Sequence, residues 1–228
     1  MTAERPRKPP PRSGIERAAE EAIAPLRTRR WLSEAQRKSL HLSSLVIPLA
    51  MLYEWLPWPR THRAWVTLLL TATVIALVVD VIRVNDDRIR HTFKRFFGGM
   101  IREHEAFTLL GSTYLLLAGL LALELFPQAI AAAALGFTIL GDGFAALVGK
   151  AWGRHRFFGK TLEGAAGGFA ACLAWAAFLV WAGHLSWPVA LAGALIASLV
   201  ELLPIPLDDN LGMTLISGYV MRLLWMPA

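Results

Sequence analysis

Charged residues and cysteine are scarce in this chain of 228 residues. Charged residues make up 18% of the chain and hydrophobic residues 55%, whereas a soluble domain has about 25% charged and about 45–50% apolar residues. The lone cysteine, Cys172, cannot pair within the chain, which excludes a disulfide scaffold. The high hydrophobicity excludes a wholly disordered chain and argues against a soluble α/β enzyme. The composition therefore favours a membrane protein.

Seven sparsely charged apolar runs follow one another along the chain. They cover residues 40–56, 64–82, 107–126, 129–148, 164–183, 187–203 and 211–225. Most approach the roughly 20 residues that a helix needs to cross a bilayer. We therefore predict an all-α membrane protein, a polytopic bundle of about seven transmembrane helices, with residues 31–228 as its transmembrane domain. Residues 1–30 are basic and proline-containing, which predicts a disordered tail in which residues 15–26 could form an interfacial helix.

Lysine and arginine are distributed unevenly between alternate loops. Residues 1–38 contain ten of them, residues 83–106 six and residues 149–163 four, against three elsewhere. Because these residues are enriched in cytoplasmic loops, the pattern predicts a cytoplasmic N-terminus in a multi-pass protein of the cell membrane. The net charge of +6 then reflects topology and attraction to anionic lipid, and we expect no nucleic-acid partner.

One carboxylate lies well inside an apolar run rather than near its end, and a charge at the centre of a span costs about 2.5–3.5 kcal/mol. Asp142 follows Gly141 in the fourth run. On a helix, Asp142 shares a face with Ala145, Ala146 and Gly149, and such small residues let a second helix or a ligand approach closely. Two interpretations stay open: a ligand site, or a packing stripe whose carboxylate bonds a neighbouring helix.

Two loops on the predicted cytoplasmic side carry opposite charges. The segment 149–164 is glycine-rich and basic, a composition suited to phosphate; its cations are Lys150, Arg154, Arg156 and Lys160. The segment 201–210 offers oxygen ligands suited to Mg²⁺; they belong to Glu201, Asp208, Asp209 and Asn210. With Asp142, these groups favour a metal–nucleotide site on the cytoplasmic face. An ordinary basic loop and an Asp-Asp-Asn cap on the last helix are the simpler alternatives.

Taken in order, the polar motifs resemble those of the integral-membrane CTP-dependent lipid kinases, the family of dolichol kinase, phytol kinase and yeast-type diacylglycerol kinase. The matching motifs run from the first apolar segment to the last and cover nearly the whole membrane part. They are Arg37-Lys38-x-x-His41, Asp80-x-x-Arg83, Gly141-Asp142-x-x-Ala145, Gly149-x-x-x-Gly153, Lys160-Thr161-Leu162-Glu163-Gly164, and Glu201-x-x-Pro204 leading to Asp208-Asp209-Asn210.

The resemblance implies transfer of the terminal phosphate of a nucleotide, usually CTP, to a lipid alcohol with Mg²⁺ as cofactor. It implies Asp142 and Lys160 as catalytic residues. The implied phosphate-binding residues are Arg37, Lys38, His41, Lys150, Gly153, Arg154, Thr161, Glu163 and Gly164. The implied metal ligands are Asp142, Asp208, Asp209 and Asn210, with Asp80, Arg83, Gly141 and Glu201 in support.

The substrate expected from the resemblance is an isoprenoid alcohol of the polyprenol, dolichol or phytol type. Its thin tail could lie between helices, along faces of small residues such as Ala145, Ala146 and Gly149, or Gly164, Gly167 and Gly168. The alternative is that these faces only pack the helices together. The expected partners are this alcohol, a nucleotide triphosphate and the bilayer, and the oligomeric state stays open. The alternatives are a diacylglycerol kinase, a cytidylyltransferase that makes a CDP-lipid, and a small transporter.

Overall fold

The computed structural model describes residues 36–97 and 104–225, so the predicted tail over residues 1–30 lies outside the described residues. The described chain is mainly helical, as predicted for an all-α protein, with one short hairpin. Its helices are α1 (36–43), α2 (Val46–Tyr53), α3 (His62–Asn85), α4 (Asp87–Phe97), α5 (Gly111–Leu125), α6 (Gln128–Trp152), α7 (Leu162–Trp181), α8 (Trp187–Leu202) and α9 (Asp209–Leu224). A 3₁₀ turn covers His104–Phe107, and strands β1 (Arg156–Phe157) and β2 (Lys160–Thr161) form the antiparallel hairpin.

Three of the described helices, α3, α6 and α7, are long and apolar enough to cross a bilayer, which makes the chain a membrane protein. The helices α5 and α8 are apolar but shorter, with 15 and 16 residues. Each predicted apolar run contains helical residues, but a full set of seven spans stays a prediction.

The first apolar run is broken, whereas the sequence predicts one continuous helix over residues 40–56. Helix α1 ends at residue 43 and α2 begins at Val46. Pro48 has no N–H to donate to Ser44, and its ring conflicts with the carbonyl group four residues earlier. Both the hydroxyl and the backbone N–H of Ser44 donate to the carbonyl of His41, three residues earlier, which tightens the chain into a turn at this point. Proline and serine together therefore end the helix early.

Helix α6 forms the centre of the bundle, and α3 lies at its edge. Alanine dominates the first half of α6, where Ala131, Ala132, Ala133 and Ala134 are fully buried, and α6 packs against α2, α5, α7, α8 and α9. Along α3 the exposed side chains are mainly valine, isoleucine and leucine. Helices of this kind suit an apolar solvent such as lipid.

Contacts between helix ends place the polar motifs at one end of the bundle, which we call the polar end. The Asp80 carboxylate near the end of α3 accepts from Leu110 N, next to the start of α5. Asn210 at the start of α9 donates to the Gly111 carbonyl of α5. Lys160, just before α7, contacts Asp209. The ends of four helices therefore meet here, and Glu124 near the end of α5 lies at the opposite end.

Candidate functional site

The first motif meets the buried carboxylate of α6. The Lys38 ammonium group lies 2.5 Å from Asp142 Oδ2 and 3.2 Å from the Asp142 carbonyl oxygen. The His41 Nε2 atom lies 3.5 Å from the same Oδ2, because residues three apart on α1 face the same side. Lys38 is only 1% exposed. Asp142 therefore forms an ion pair with Lys38 of the neighbouring helix α1, and the His41 ring lies beside this pair.

A second charged cluster surrounds Lys160. Its ammonium group lies 3.2 Å from both Asp209 carboxylate oxygens and 3.4 Å from Glu201 Oε1, and it donates to the Glu201 carbonyl. Glu201 is buried and also lies within electrostatic range of Asp142. Through Glu201, which contacts Lys160 and interacts electrostatically with Asp142, the two clusters form one charged region.

A third buried cluster supports the segment before α5. Arg83 pairs with Asp80 at 2.9 Å, and its two terminal nitrogens donate to the carbonyls of Glu105 and Thr108. Asp80 in turn accepts from Leu110 N and from the Thr113 hydroxyl. Asp80 and Arg83 are therefore positioning residues, since they fix the backbone that carries part of the pocket described next.

A pocket of about 340 Å³ opens beside the Lys38–Asp142 pair. Its polar lining residues are Arg37, Lys38, His41, Ser44, Glu105, Ser112, Asp142 and Asn210, and its apolar lining residues include Leu40, Phe93, Phe97, Leu110 and Leu115. The buried Oδ1 atom of Asn210 finds no hydrogen-bond partner among the described residues. The pocket thus combines charge, an unused acceptor and an apolar wall, as a ligand with a polar head and an apolar tail requires.

Several residues of the basic loop have local structural roles. The Glu163 carboxylate accepts from the backbone N–H groups of Arg154 and His155 and pairs with the His155 ring at 2.6 Å. Thr161 caps α7 by accepting from Gly164 N. The side chains of Lys150 and Arg154 are exposed on the surface and do not line the pocket. Lys160 does not line the pocket either, but its ammonium group belongs to the charged region through Glu201 and Asp209.

The small residues of α6 and α7 pack the two helices against each other, which corrects the expectation that a lipid tail lies there. A Cβ atom on Gly164 would stand 2.7 Å from the Ala145 carbonyl oxygen, and one on Gly168 would stand 2.7 Å from that of Gly141. Gly149 and Gly153 both crowd against Thr161. Gly141, and not Asp142, lies at this close contact between the backbones of α6 and α7. The contact leaves no room for an isoprenoid chain.

The predicted magnesium ligands are not grouped. Asp142 and Asp209 each pair with a lysine, and Asp208 caps α9 by accepting from Asn210 N. Across the described ranges, no three histidine, cysteine, aspartate or glutamate side chains are placed to hold a metal ion together. This arrangement does not fit Mg²⁺ held by protein groups alone, so we derive no step through it. Mg²⁺ that arrives with a nucleotide stays a prediction.

Sequence reasoning missed Glu105 and the phenylalanines of α4. Glu105 Oε1 accepts from Gly111 N at 3.2 Å, and Phe93 and Phe97 line the apolar side of the pocket. A signal for α4 was available, because Ile89, Phe93, Phe96 and Phe97 recur at helical spacing between charged residues. No local pattern marks Glu105, whose role depends on the turn that it closes.

No protein-family model matches the chain, and no solved structure matches it. The chain is similar to the uncharacterized protein RP860 of Rickettsia prowazekii (strain Madrid E). The two are 34% identical over 143 residues, which make up 61% of this chain and 67% of the Rickettsia protein. The chain therefore belongs to the same protein family as this Rickettsia protein.

Proposed function

We propose that the protein is a lipid-alcohol kinase that transfers the terminal phosphate of a nucleotide, CTP by the resemblance of its motifs, to an isoprenoid alcohol. The observation that carries the proposal is the pocket at the polar end. It has cations and carboxylates on one side and leucine and phenylalanine side chains on the other. A nucleotide from water and an alcohol from the bilayer can meet at this depth.

The reaction requires charge neutralisation and alignment more than covalent help from the protein. Arg37, Lys38 and Lys160 bind the phosphates, and engagement of Lys38 releases Asp142 from its ion pair. The alcohol oxygen attacks the terminal phosphorus, the bond from that phosphorus to the bridging oxygen breaks, and the nucleoside diphosphate leaves. Asp142 accepts the hydroxyl proton and passes it to water.

The proposal includes seven spans, a cytoplasmic N-terminus and an active site on the cytoplasmic side. The Lys/Arg asymmetry supports this orientation, since the polar end carries the basic segments 83–97 and 150–160. The broken helix pair α1–α2 and the shorter helices α5, α8 and α9 complete the set of seven, and local thinning of the bilayer accommodates their length.

The test uses the purified full chain in detergent with CTP or ATP labelled at the terminal phosphate. Phytol, a polyprenol and diacylglycerol serve as acceptors. Labelled lipid phosphate with nucleoside diphosphate is the expected product pair. Pyrophosphate release would identify a cytidylyltransferase instead, and the highest kcat/KM on diacylglycerol would overturn the isoprenoid assignment alone.

Asp142→Asn provides the sharpest test of the site. We expect kcat to fall by roughly 10²–10⁴-fold, the usual contribution of a positioned proton acceptor. The control is Glu124→Gln, an exposed carboxylate at the opposite end of the bundle, which should keep wild-type turnover. Near-normal turnover of Asp142→Asn would remove Asp142 from the reaction.

A further inference from the structure

Helix α4 is strongly amphipathic and differs from every apolar helix of the bundle. Its apolar residues, Ile89, Phe93, Phe96 and Phe97, fall within one face, because they are spaced by three or four positions. The remaining positions carry Asp87, Arg88, Arg90, His91, Thr92, Lys94 and Arg95. This distribution is typical of helices that lie in a membrane interface.

The apolar face of α4 is only partly covered by the protein. None of its residues is buried, Phe96 is 73% exposed and Ile89 is 41% exposed. Phe93 is held by the Arg83 guanidinium group, 5.6 Å from its ring centre, and it lines the pocket together with Phe97. Phe93 and Phe97 therefore face the pocket, whereas Ile89 and Phe96 are exposed on the surface of the protein.

The position of α4 in the chain fixes its depth relative to a bilayer. Asp86 alone separates α4 from α3, a helix of 24 residues that is long and apolar enough to span a bilayer. α4 therefore lies where α3 leaves the hydrocarbon layer. Exposed aromatic side chains of Trp152 and Phe158 lie at the same end, as expected for residues at a membrane interface.

We propose that α4 is an interfacial helix that binds the anionic lipid surface. Ile89 and Phe96 enter the outer part of the acyl layer, while Arg88, Lys94 and Arg95 contact lipid phosphates. The charge decides for anionic lipid over another protein, because the polar face carries mainly cations, and Asp87 is already paired with Arg90. In this position α4 forms the membrane-side wall of the pocket. The proposal does not depend on the kinase assignment.

Site-directed spin labelling of the full chain in vesicles tests the position of α4. Labels are placed on two neighbouring pairs, Arg88→Cys against Ile89→Cys and Arg95→Cys against Phe96→Cys, all at exposed positions. The native Cys172 is fully buried and should stay unlabelled. We expect labels at 89 and 96 to collide with oxygen dissolved in the bilayer, and those at 88 and 95 with a water-soluble nickel complex.

Equal access of the nickel complex to both members of each pair would overturn the proposal. So would spectral broadening from contact between labels at 96, since it would show that a second copy covers this face. Two independent pairs keep the test valid if one variant fails to fold.

Lipid selectivity tests the charge part of the proposal. Vesicles contain phosphatidylcholine alone or with an equal amount of phosphatidylglycerol, and spin-labelled phosphatidylglycerol reports lipid held at the protein surface. We expect the double variant Lys94→Gln/Arg95→Gln to lower selectivity for phosphatidylglycerol by up to about fivefold per removed charge. The matched control, Arg60→Gln/Arg63→Gln near the start of α3, should leave it unchanged. Wild-type selectivity in the α4 variant would contradict anionic-lipid binding.

Discussion

Two buried ion pairs of this bundle, Lys38–Asp142 and Asp80–Arg83, differ in their surroundings. Lys38 and Asp142 form an ion pair next to a pocket, so a ligand can replace one partner. Asp80 and Arg83 are buried with exposed fractions of 0% and 1%, and backbone groups use their remaining hydrogen-bonding capacity. The Lys38–Asp142 pair can therefore take part in a reaction, whereas the Asp80–Arg83 pair holds the backbone before α5 in position.

Asp80→Ala should lower the free energy of unfolding by about 3–5 kcal/mol, because it leaves Arg83 buried without its carboxylate. Thr113→Val removes only one hydroxyl that donates to Asp80 and should cost about 1–3 kcal/mol. Unfolding in mixed micelles with increasing denaturing detergent measures both effects. The control, Thr71→Val, replaces an exposed hydroxyl of α3 and should be close to neutral. An Asp80→Ala protein as stable as the control would refute the positioning role.

Lys160→Met should reduce transfer activity by at least about 10²-fold, because the phosphates then lose one of the three cations proposed to bind them. Initial rates with labelled nucleotide and alcohol measure this loss. Arg63→Met removes an exposed cation at the opposite end of the bundle and should keep wild-type rates. Equal activity of the two variants would show that Lys160 is a structural partner of Glu201 and Asp209 only.

At the scale of elements, the contact between α6 and α7 depends on the absence of side chains. Glycines at 141, 164 and 168 bring the two backbones together, and Gly136 makes room for the Trp175 ring, which a Cβ atom there would overlap. This spacing brings Asp142 of α6 close to the start of α7 at the polar end, where Lys160 lies in strand β2. The small residues thus contribute to the site through helix position rather than through lipid binding.

Gly168→Leu should destabilise the protein by about 1–3 kcal/mol or more, because its side chain must displace the α6 backbone near Gly141. Gly119→Ala in α5 is the matched control, since its Cβ atom would meet only the mobile tips of Leu69 and Leu135. We expect the control to be neutral or slightly stabilising, through the higher helix propensity of alanine. Thermal unfolding in detergent, followed by circular dichroism, measures both. A tolerated Gly168→Leu would contradict close packing at this point.

At the scale of the whole molecule, the helix ends divide the bundle into a polar end and an opposite end. The hairpin Arg156–Thr161 and the start of α9 belong to the polar end, while Glu124 lies at the other. The proposed orientation places the polar end in the cytoplasm, where a nucleotide is supplied.

Cysteine labelling in intact cells and in inverted membrane vesicles checks this orientation. We expect Arg156→Cys to react with a membrane-impermeant maleimide only in inverted vesicles, and Glu124→Cys only in intact cells. The native Cys172 is buried and should remain unreactive in both, which the unsubstituted chain verifies. Labelling of both new cysteines from the same side would contradict a bundle that crosses the bilayer between them.

The sequence by itself determined the features that depend on local composition. Apolar runs predicted helical segments, and their length predicted a membrane protein, because backbone groups in lipid must be bonded within a helix. It also identified Asp142, Lys160 and Glu201 as unusual, since a charge in or beside an apolar run needs a partner. The amphipathic pattern of α4 was equally readable, because its period is local.

Only the tertiary structure decided which partner each charge has and which faces are filled. Lys38 and Asp142 lie 104 positions apart in the chain. The sequence around a carboxylate does not specify which distant cation will neutralise it. The small residues of α6 and α7 were compatible with either a packed helix pair or a lipid groove, and backbone distances favoured packing. Asp208 caps α9, because the first N–H groups of a helix need an acceptor wherever the chain enters it, and its role as a metal ligand stays a prediction.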